Sequence, residues 1–152
     1  MNNPATARWQ CPQCGYTEAS NDDLAPNAFF RPWHVRGRHS VKAYVESLGF
    51  EAREWLLALY VDPHLHLLAV DTIARGDVGS CPVPFNQIVV RAFQLQASAY
   101  ILVHNHPSGD PRPSATDIKT TVRLARLSAD LEIPLLDHLI IAGDEMISCG
   151  HF

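Results

Sequence analysis

The chemically pointed part of this chain is a pair of histidines two apart, His104-Asn105-His106, followed by a stiff turn from Pro107 to Pro113 and then by Ser114-Ala115-Thr116-Asp117. An apolar run, Tyr100-Ile101-Leu102-Val103, leads directly into the first histidine. Side chains alternate along a strand, so His104 and His106 point to the same side of it. Two neutral imidazoles and one carboxylate, Asp117, leave a tetrahedral zinc ion with one open position, the arrangement of a catalytic site. Water at that position has its pKa lowered to about 7. Pro107, Gly109, Pro111 and Pro113 restrict the connecting loop to few shapes, so it can hold ligands in place at low entropic cost.

A structural account of part of this segment competes with the chemical one. Ser114-Ala115-Thr116-Asp117 has the form of a capping box, with Ser114 as N-cap and Asp117 at the third helical position. The helix dipole also favours an acidic residue there. Ser114 and Asp117 could therefore serve the helix alone. The histidines tip the balance, because a strand-end His-x-His beside a Pro/Gly turn has few structural reasons to exist.

The elements that must position these residues follow from periodicity and punctuation. Ser40 is expected to cap a short helix with Val41, Tyr44, Val45 and Leu48 at helical spacing and Gly49 as its stop. Residues 54 to 61, ending Trp-Leu-Leu-Ala-Leu-Tyr-Val, read as a buried strand, Asp62-Pro63 as a turn, and 64 to 73 as the hairpin partner. Pro82 and Pro84 end that hairpin and open a helix near Phe85, with Phe85, Ile88, Val89 and Ala92 on one face. Residues 98 to 104 form the next strand. A helix follows over 115 to 129, with Ile118, Val122, Ala125 and Ala129 as its apolar stripe. Residues 135 to 142 and 145 to 148 form a last hairpin around Gly143-Asp144. Strands and helices mix without strict alternation, which predicts an α+β fold with one mixed sheet and flanking helices.

At these residues the chain resembles the RadC-like branch of the JAMM/MPN (JAB) metalloprotease superfamily. The JAMM pattern is an upstream glutamate, then His-x-His, seven residues, Ser, two residues and Asp, which His104, His106, Ser114 and Asp117 match without a gap. The string from His104 to Pro111 and the segment Leu-Leu-Asp-His-Leu-Ile-Ile at 135 to 141 are RadC-like in particular. The resemblance covers about residues 40 to 150. It implies a JAMM/MPN (cytidine-deaminase-like) architecture and zinc ligands at His104, His106 and Asp117. It also implies that Ser114 hydrogen-bonds the reacting water or the developing oxyanion, and that an upstream glutamate acts as general base. Glu51 and Glu54 compete for that last role. An Arg-Glu pair just before the first long strand is a RadC-like feature and favours Glu54. The implied activity is zinc-dependent hydrolysis of a peptide or isopeptide bond through a metal-activated water, with a protein or peptide as substrate. Two features depart from the family. RadC-like proteins usually carry an N-terminal helix-hairpin-helix region, for which residues 1 to 39 leave no room. The segment Pro82-Val83-Pro84-Phe85-Asn86 lacks the Pro-Arg-Glu that often opens the central helix.

Residues 1 to 39 read as a polar extension and 40 to 152 as the RadC-like domain. Within the extension, Cys11-Pro12-Gln13-Cys14-Gly15 has the form of one zinc knuckle. A structural zinc needs four ligands, and His34 and His39 could complete a set with Cys11 and Cys14, giving a second, structural ion. Cys-x-x-Cys pairs also occur as redox or free thiols. A second His-x-His, His64-Leu65-His66, has Asp77 at the matching distance but Ala74 at the serine position and no Pro/Gly loop, so ordinary surface histidines are expected there. His138 could orient a metal ligand or be a hydrogen-bonded core histidine. Cys81 and Cys149 are expected to be buried or inert thiols.

Composition sets the outer bounds. The chain has 152 residues, 47% hydrophobic and 18% charged, with a net charge of −4, enough for one domain with a real core. The acidic balance argues against a strongly basic nucleic-acid surface, although Arg31, Arg36, Arg38 and the Cys11/Cys14 pair keep open a DNA-repair-associated or nucleic-acid-binding factor. A metal-binding interaction module without hydrolysis is the third reading. No apolar run has the length of a membrane helix and no apolar signal core opens the chain, so a cytoplasmic location is expected. Four cysteines do not make a disulfide scaffold.

Overall fold

The computed structural model describes residues 33–76 and 83–150. Cys11 and Cys14, Cys81 and Asp77 lie outside them. Among the described residues the order is α1 (Arg38–Val45), a 3-10 turn (Glu46–Phe50), β1 (Trp55–Val61), β2 (Leu67–Arg75), α2 (Phe85–Leu95), β3 (Ala99–Asn105), α3 (Ala115–Ala129), β4 (Leu135–Ala142) and β5 (Glu145–Ser148). The five strands form one mixed sheet in the order β2-β1-β3-β4-β5. Only β3 and β4 run parallel, and α3 makes the crossover between them. The expected α+β class with a mixed sheet and flanking helices is the architecture observed. No helix among the described residues is long and apolar enough to cross a membrane.

Period-2 alternation divides the core between the two faces of the sheet. Leu59, Val61, Ile101, Val103, Leu139 and Ile141 pack on α1 through Val41 and Val45 and on the 3-10 turn through Leu48. Leu56, Ala58, Tyr60, Tyr100, Leu102 and Leu135 face the other way, onto Ile88 and Ala92 of α2 and Leu124 of α3. All seven residues of β3 are buried, as expected for a central strand covered on both sides. Gly49 closes the first layer against the sheet. Its carbonyl accepts from Gly143 N at 2.8 Å, and any Cβ there would overlap the Gly143 carbonyl. Gly49 thus serves close approach rather than the expected stop, and the chain continues as a 3-10 turn to Phe50.

Three further local expectations are corrected. Ser40 is not the N-cap of α1. Gly37 is, at a φ of 107°, a conformation open to glycine that starts the helix earlier. Ser40 then sits in the first turn, donating to Gly37 O at 2.7 Å and accepting from Arg36 N at 2.9 Å. The hairpin partner begins at Leu67 rather than His64, because Asp62 Oδ1 accepts from both His64 N and His66 N at 2.8 Å and holds those residues in the turn. The third correction concerns α3. Its buried positions are Thr121, Leu124 and Ser128, whereas Ile118 is 47% exposed. The helix turns a polar-edged face to the sheet because each buried hydroxyl has a partner there. Ser128 Oγ meets Tyr100 Oη at 2.6 Å, and Thr121 meets His138.

Candidate metal centre

The parallel pairing of β3 with β4 brings His104 and His138 side by side, and α3 delivers Asp117 above them. His104 is the sixth residue of β3 and lies on the face covered by α3. His106 follows the strand end and turns back to the same side, its ring centroid 4.7 Å from that of His104. Ser114 caps α3 by accepting from Asp117 N at 3.1 Å, while Asp117 Oδ2 accepts from Ser114 N at 2.7 Å. This is the reciprocal capping box expected from sequence. It fixes Asp117 so that Oδ1 lies 3.3 Å from His104 Nε2 and Oδ2 lies 3.5 Å from His106 Nε2.

Hydrogen-bond directions decide what this cluster can hold. His106 Nδ1 lies 2.8 Å from the Asp110 carbonyl. A carbonyl only accepts, so Nδ1 carries the hydrogen and Nε2 of the neutral ring is a lone pair. The Thr121 hydroxyl donates to the Asp117 carbonyl at 2.5 Å, so its oxygen accepts from His138 Nδ1 at 2.6 Å. His138 Nε2 is then a lone pair and accepts from His104 Nδ1 at 2.8 Å. The chain Thr121–His138–His104 therefore leaves His104 Nε2 as a lone pair too. The two Nε2 atoms face each other at 2.8 Å, with the Asp117 carboxylate beside them and no hydrogen left to share. Acceptors converging in this way are satisfied by a cation, and the imidazole–carboxylate set suits a borderline-soft metal such as zinc. Among the described residues, His104, His106 and Asp117 are the group of ligating side chains that could hold a metal ion.

Burial reinforces the neutral state of His104 and His138. His104 is pushed down to about 4 mainly by burial, with the Asp117 charge opposing and His106 adding. His138 is pushed down to about 3 by burial and by His104. Burial would raise Asp117, but its hydrogen bonds with Ser114 and the neighbouring imidazoles outweigh that and hold the carboxyl below its ordinary value.

The cluster floors an open cleft of about 570 Å³ lined by Glu54, His104, His106, Ser108, Asp110, Arg112, Pro113, Ser114 and Asp117. Of the two glutamates in competition, Glu54 lines this cleft. Glu51 is exposed and is not among its lining residues. Arg112 stands at the rim, clamped to Asp110 at 2.6 Å. The other sequence candidates lie elsewhere. His34 and His39 are exposed, and His34 pairs with His66 across an isolated bridge. Cys149 is half-buried, its thiol pushed up to about 12 by burial, as expected of an inert thiol. Sequence reasoning did not single out Thr121 or Asn105. The signal for Asn105 was available: a residue between two same-side histidines must face the other way, and a polar one there needs a partner.

A model of the RadC-like JAB domain family matches residues 35–151. The chain belongs to the RadC-like JAB domain family. Its relatives include UPF0758 protein BAV2405 of Bordetella avium, 42% identical over 125 residues, which make up 82% of this chain and 53% of that protein. UPF0758 protein Bpet3149 of Bordetella petrii is 43% identical over 110 residues, 72% of this chain and 49% of that protein. UPF0758 protein Smlt0399 of Stenotrophomonas maltophilia is 38% identical over 98 residues, 64% of this chain and 42% of that protein. This RadC-like chain thus spans about half the length of the curated relatives it matches.

Proposed function

We propose that this RadC-like domain is a zinc-dependent hydrolase of JAMM type that cleaves a peptide or isopeptide bond. The observation that carries the reading is the convergence of acceptor-only His104 Nε2, His106 Nε2 and Asp117 in a cleft that Glu54 and Ser114 also line. When bound, zinc supplies a Lewis acid that lowers the pKa of water to about 7 and polarises a carbonyl.

The chain's own residues do the remaining work. His104, His106 and Asp117 would hold the ion, with the Thr121–His138 chain fixing the His104 tautomer. The Glu54 carboxylate, at the cleft wall, takes the proton of the attacking water and returns it to the leaving amine. The Ser114 hydroxyl spends a lone pair on the Asp117 amide, which leaves its hydrogen to donate to a developing oxyanion. A protein or peptide is the substrate, entering an open cleft rather than an enclosed pocket.

The test combines elemental analysis with hydrolysis of a fluorogenic peptide library and of substrates carrying a lysine ε-amide. Zinc should bind at one equivalent at these three residues, and Glu54→Gln should retain the ion while losing about 10²-fold or more of turnover. Absence of zinc from the site, or equal turnover in Glu54→Gln, overturns the reading. Zinc bound with no hydrolysis of any substrate would favour the interaction-module reading instead.

A further inference from the structure

The residue between the two histidines is buried on the opposite face of β3. Asn105 is fully inaccessible, and its amide is used by backbone groups of one short segment. Oδ1 accepts from Trp55 N at 2.8 Å. Nδ2 donates to Arg53 O at 2.9 Å and to Glu51 O at 3.2 Å. These three bonds bracket Glu54, and a fourth, from Gly76 N to Glu54 O at 2.8 Å, closes the segment from the β2 side. Residues 51 to 53 have no strand ladder of their own, since β1 begins at Trp55. Without Asn105, two carbonyls and one N–H would have to find other partners, and the segment ahead of β1 would lose these three ties to β3.

The geometry points to Asn105 as a positioning residue for Glu54, one that locks the glutamate-bearing segment to the strand that carries His104 and His106. One residue of β3 thus faces the metal while its neighbour holds the segment of the base, so strand alternation couples the two parts of the site in a single register. An amide is the side chain that fits, since it alone offers one acceptor and two donors in one plane. The inference rests on the reading of Glu54 as general base.

The test reads Glu54 through a metal probe rather than through turnover. The metal-free protein is loaded with cobalt(II), and the pH midpoint of its visible band, which reports ionisation at the open coordination position, is measured in wild type, Glu54→Gln, Asn105→Ala and Asn105→Gln. Both Asn105 variants should bind cobalt within about threefold of wild type, because the three ligands are untouched. Both should show the midpoint displaced in the direction of Glu54→Gln by at least half its shift. The Trp55 amide should also exchange at least tenfold faster with solvent deuterium than in wild type. A displaced midpoint in Glu54→Gln with wild-type midpoints in the Asn105 variants overturns the positioning role and leaves the base intact. An unmoved midpoint in Glu54→Gln removes the base reading and the inference with it. Should neither Asn105 variant fold, exchange in the wild-type protein decides: a protected Trp55 amide upholds the bracket, and an amide exchanging at the rate of an open loop overturns it.

Discussion

His104 and His106 are separated by one residue, as are His64 and His66, and an aspartate lies eleven residues beyond the second histidine in each case, at Asp117 and at Asp77. The surroundings differ. His104 sits at 2% exposure on a central strand, with Thr121 and His138 fixing its tautomer and a capped helix aiming a carboxylate at its free nitrogen. His64 is exposed in a turn. His66 is tied through Nδ1 to Asp62 at 3.0 Å and faces His34 edge-on at 5.2 Å between centroids. The lesson is that a His-x-His pair becomes able to hold a metal ion through what removes its hydrogens and water, and spacing alone supplies neither.

The largest expected effect tests that contrast directly. His104→Ala should lose zinc by more than the 10–100-fold typical of removing an outer hydrogen-bond partner, because it deletes a proposed ligand outright. His66→Ala should leave both stoichiometry and affinity as they are. Competition titration with a chromogenic chelator reads both. Equal loss in the two variants would show that the second segment also takes part, and the comparison would fail.

A narrower change asks whether the hydrogen-bond chain behind His104 matters as much as the ligand itself. Thr121→Val keeps the shape and removes the hydroxyl, so His138 Nδ1–H loses its acceptor and the tautomer of His104 is no longer dictated. Zinc affinity should fall about 10–100-fold, and the buried unpaired donor should cost about 1–3 kcal/mol of stability in urea unfolding. Wild-type affinity in Thr121→Val would mean that burial alone holds the ring.

What the sequence disclosed and what it hid divide along the same line. The ends of α3, β4 and β5 were legible because a capping box, a largely apolar run and Gly143-Asp144 are local signals. The spacing of the candidate ligands was legible because strand alternation and helix capping are fixed geometries. The inner face of α3 was not. A search for an apolar stripe selects Ile118 and Ala129, whereas the helix buries Thr121 and Ser128, whose partners His138 and Tyr100 come from strands distant in sequence. Buried polar residues are satisfied by tertiary contacts that no periodicity announces. Glu54 was favoured over Glu51 through family resemblance rather than any local signal, and its segment is held by Asn105, some fifty residues further along the chain.

The neutral state of the buried rings has a consequence in acid. His104 and His138 are held at about 4 and about 3 in the fold, against about 6.5 in the unfolded chain. Between these values the unfolded state binds more protons, so stability is full above about pH 6.5 and is lost as pH falls toward 4, by up to about 1.4 kcal/mol per pH unit for each ring. Thermal melts of metal-free protein should therefore decline steadily from pH 7 to 4. A flat profile across that range would mean that the central rings are protonated in the native state, and the contrast between the two segments would lose its electrostatic half.

The smallest effect separates the two duties of the capping box. Ser114→Ala removes the hydroxyl that accepts from Asp117 N and should cost about 1 kcal/mol of stability, whereas Ser114→Gly should cost only a few tenths. Zinc affinity should stay within about threefold of wild type in both. The bond that orients the Asp117 carboxylate comes from the Ser114 backbone N–H at 2.7 Å, and neither of these substitutions deletes it. If Ser114→Ala instead lost zinc as His104→Ala does, the serine hydroxyl rather than the backbone would be aiming the aspartate, and the preorganisation that sets this segment apart from His64-x-His66 would reside in a side chain.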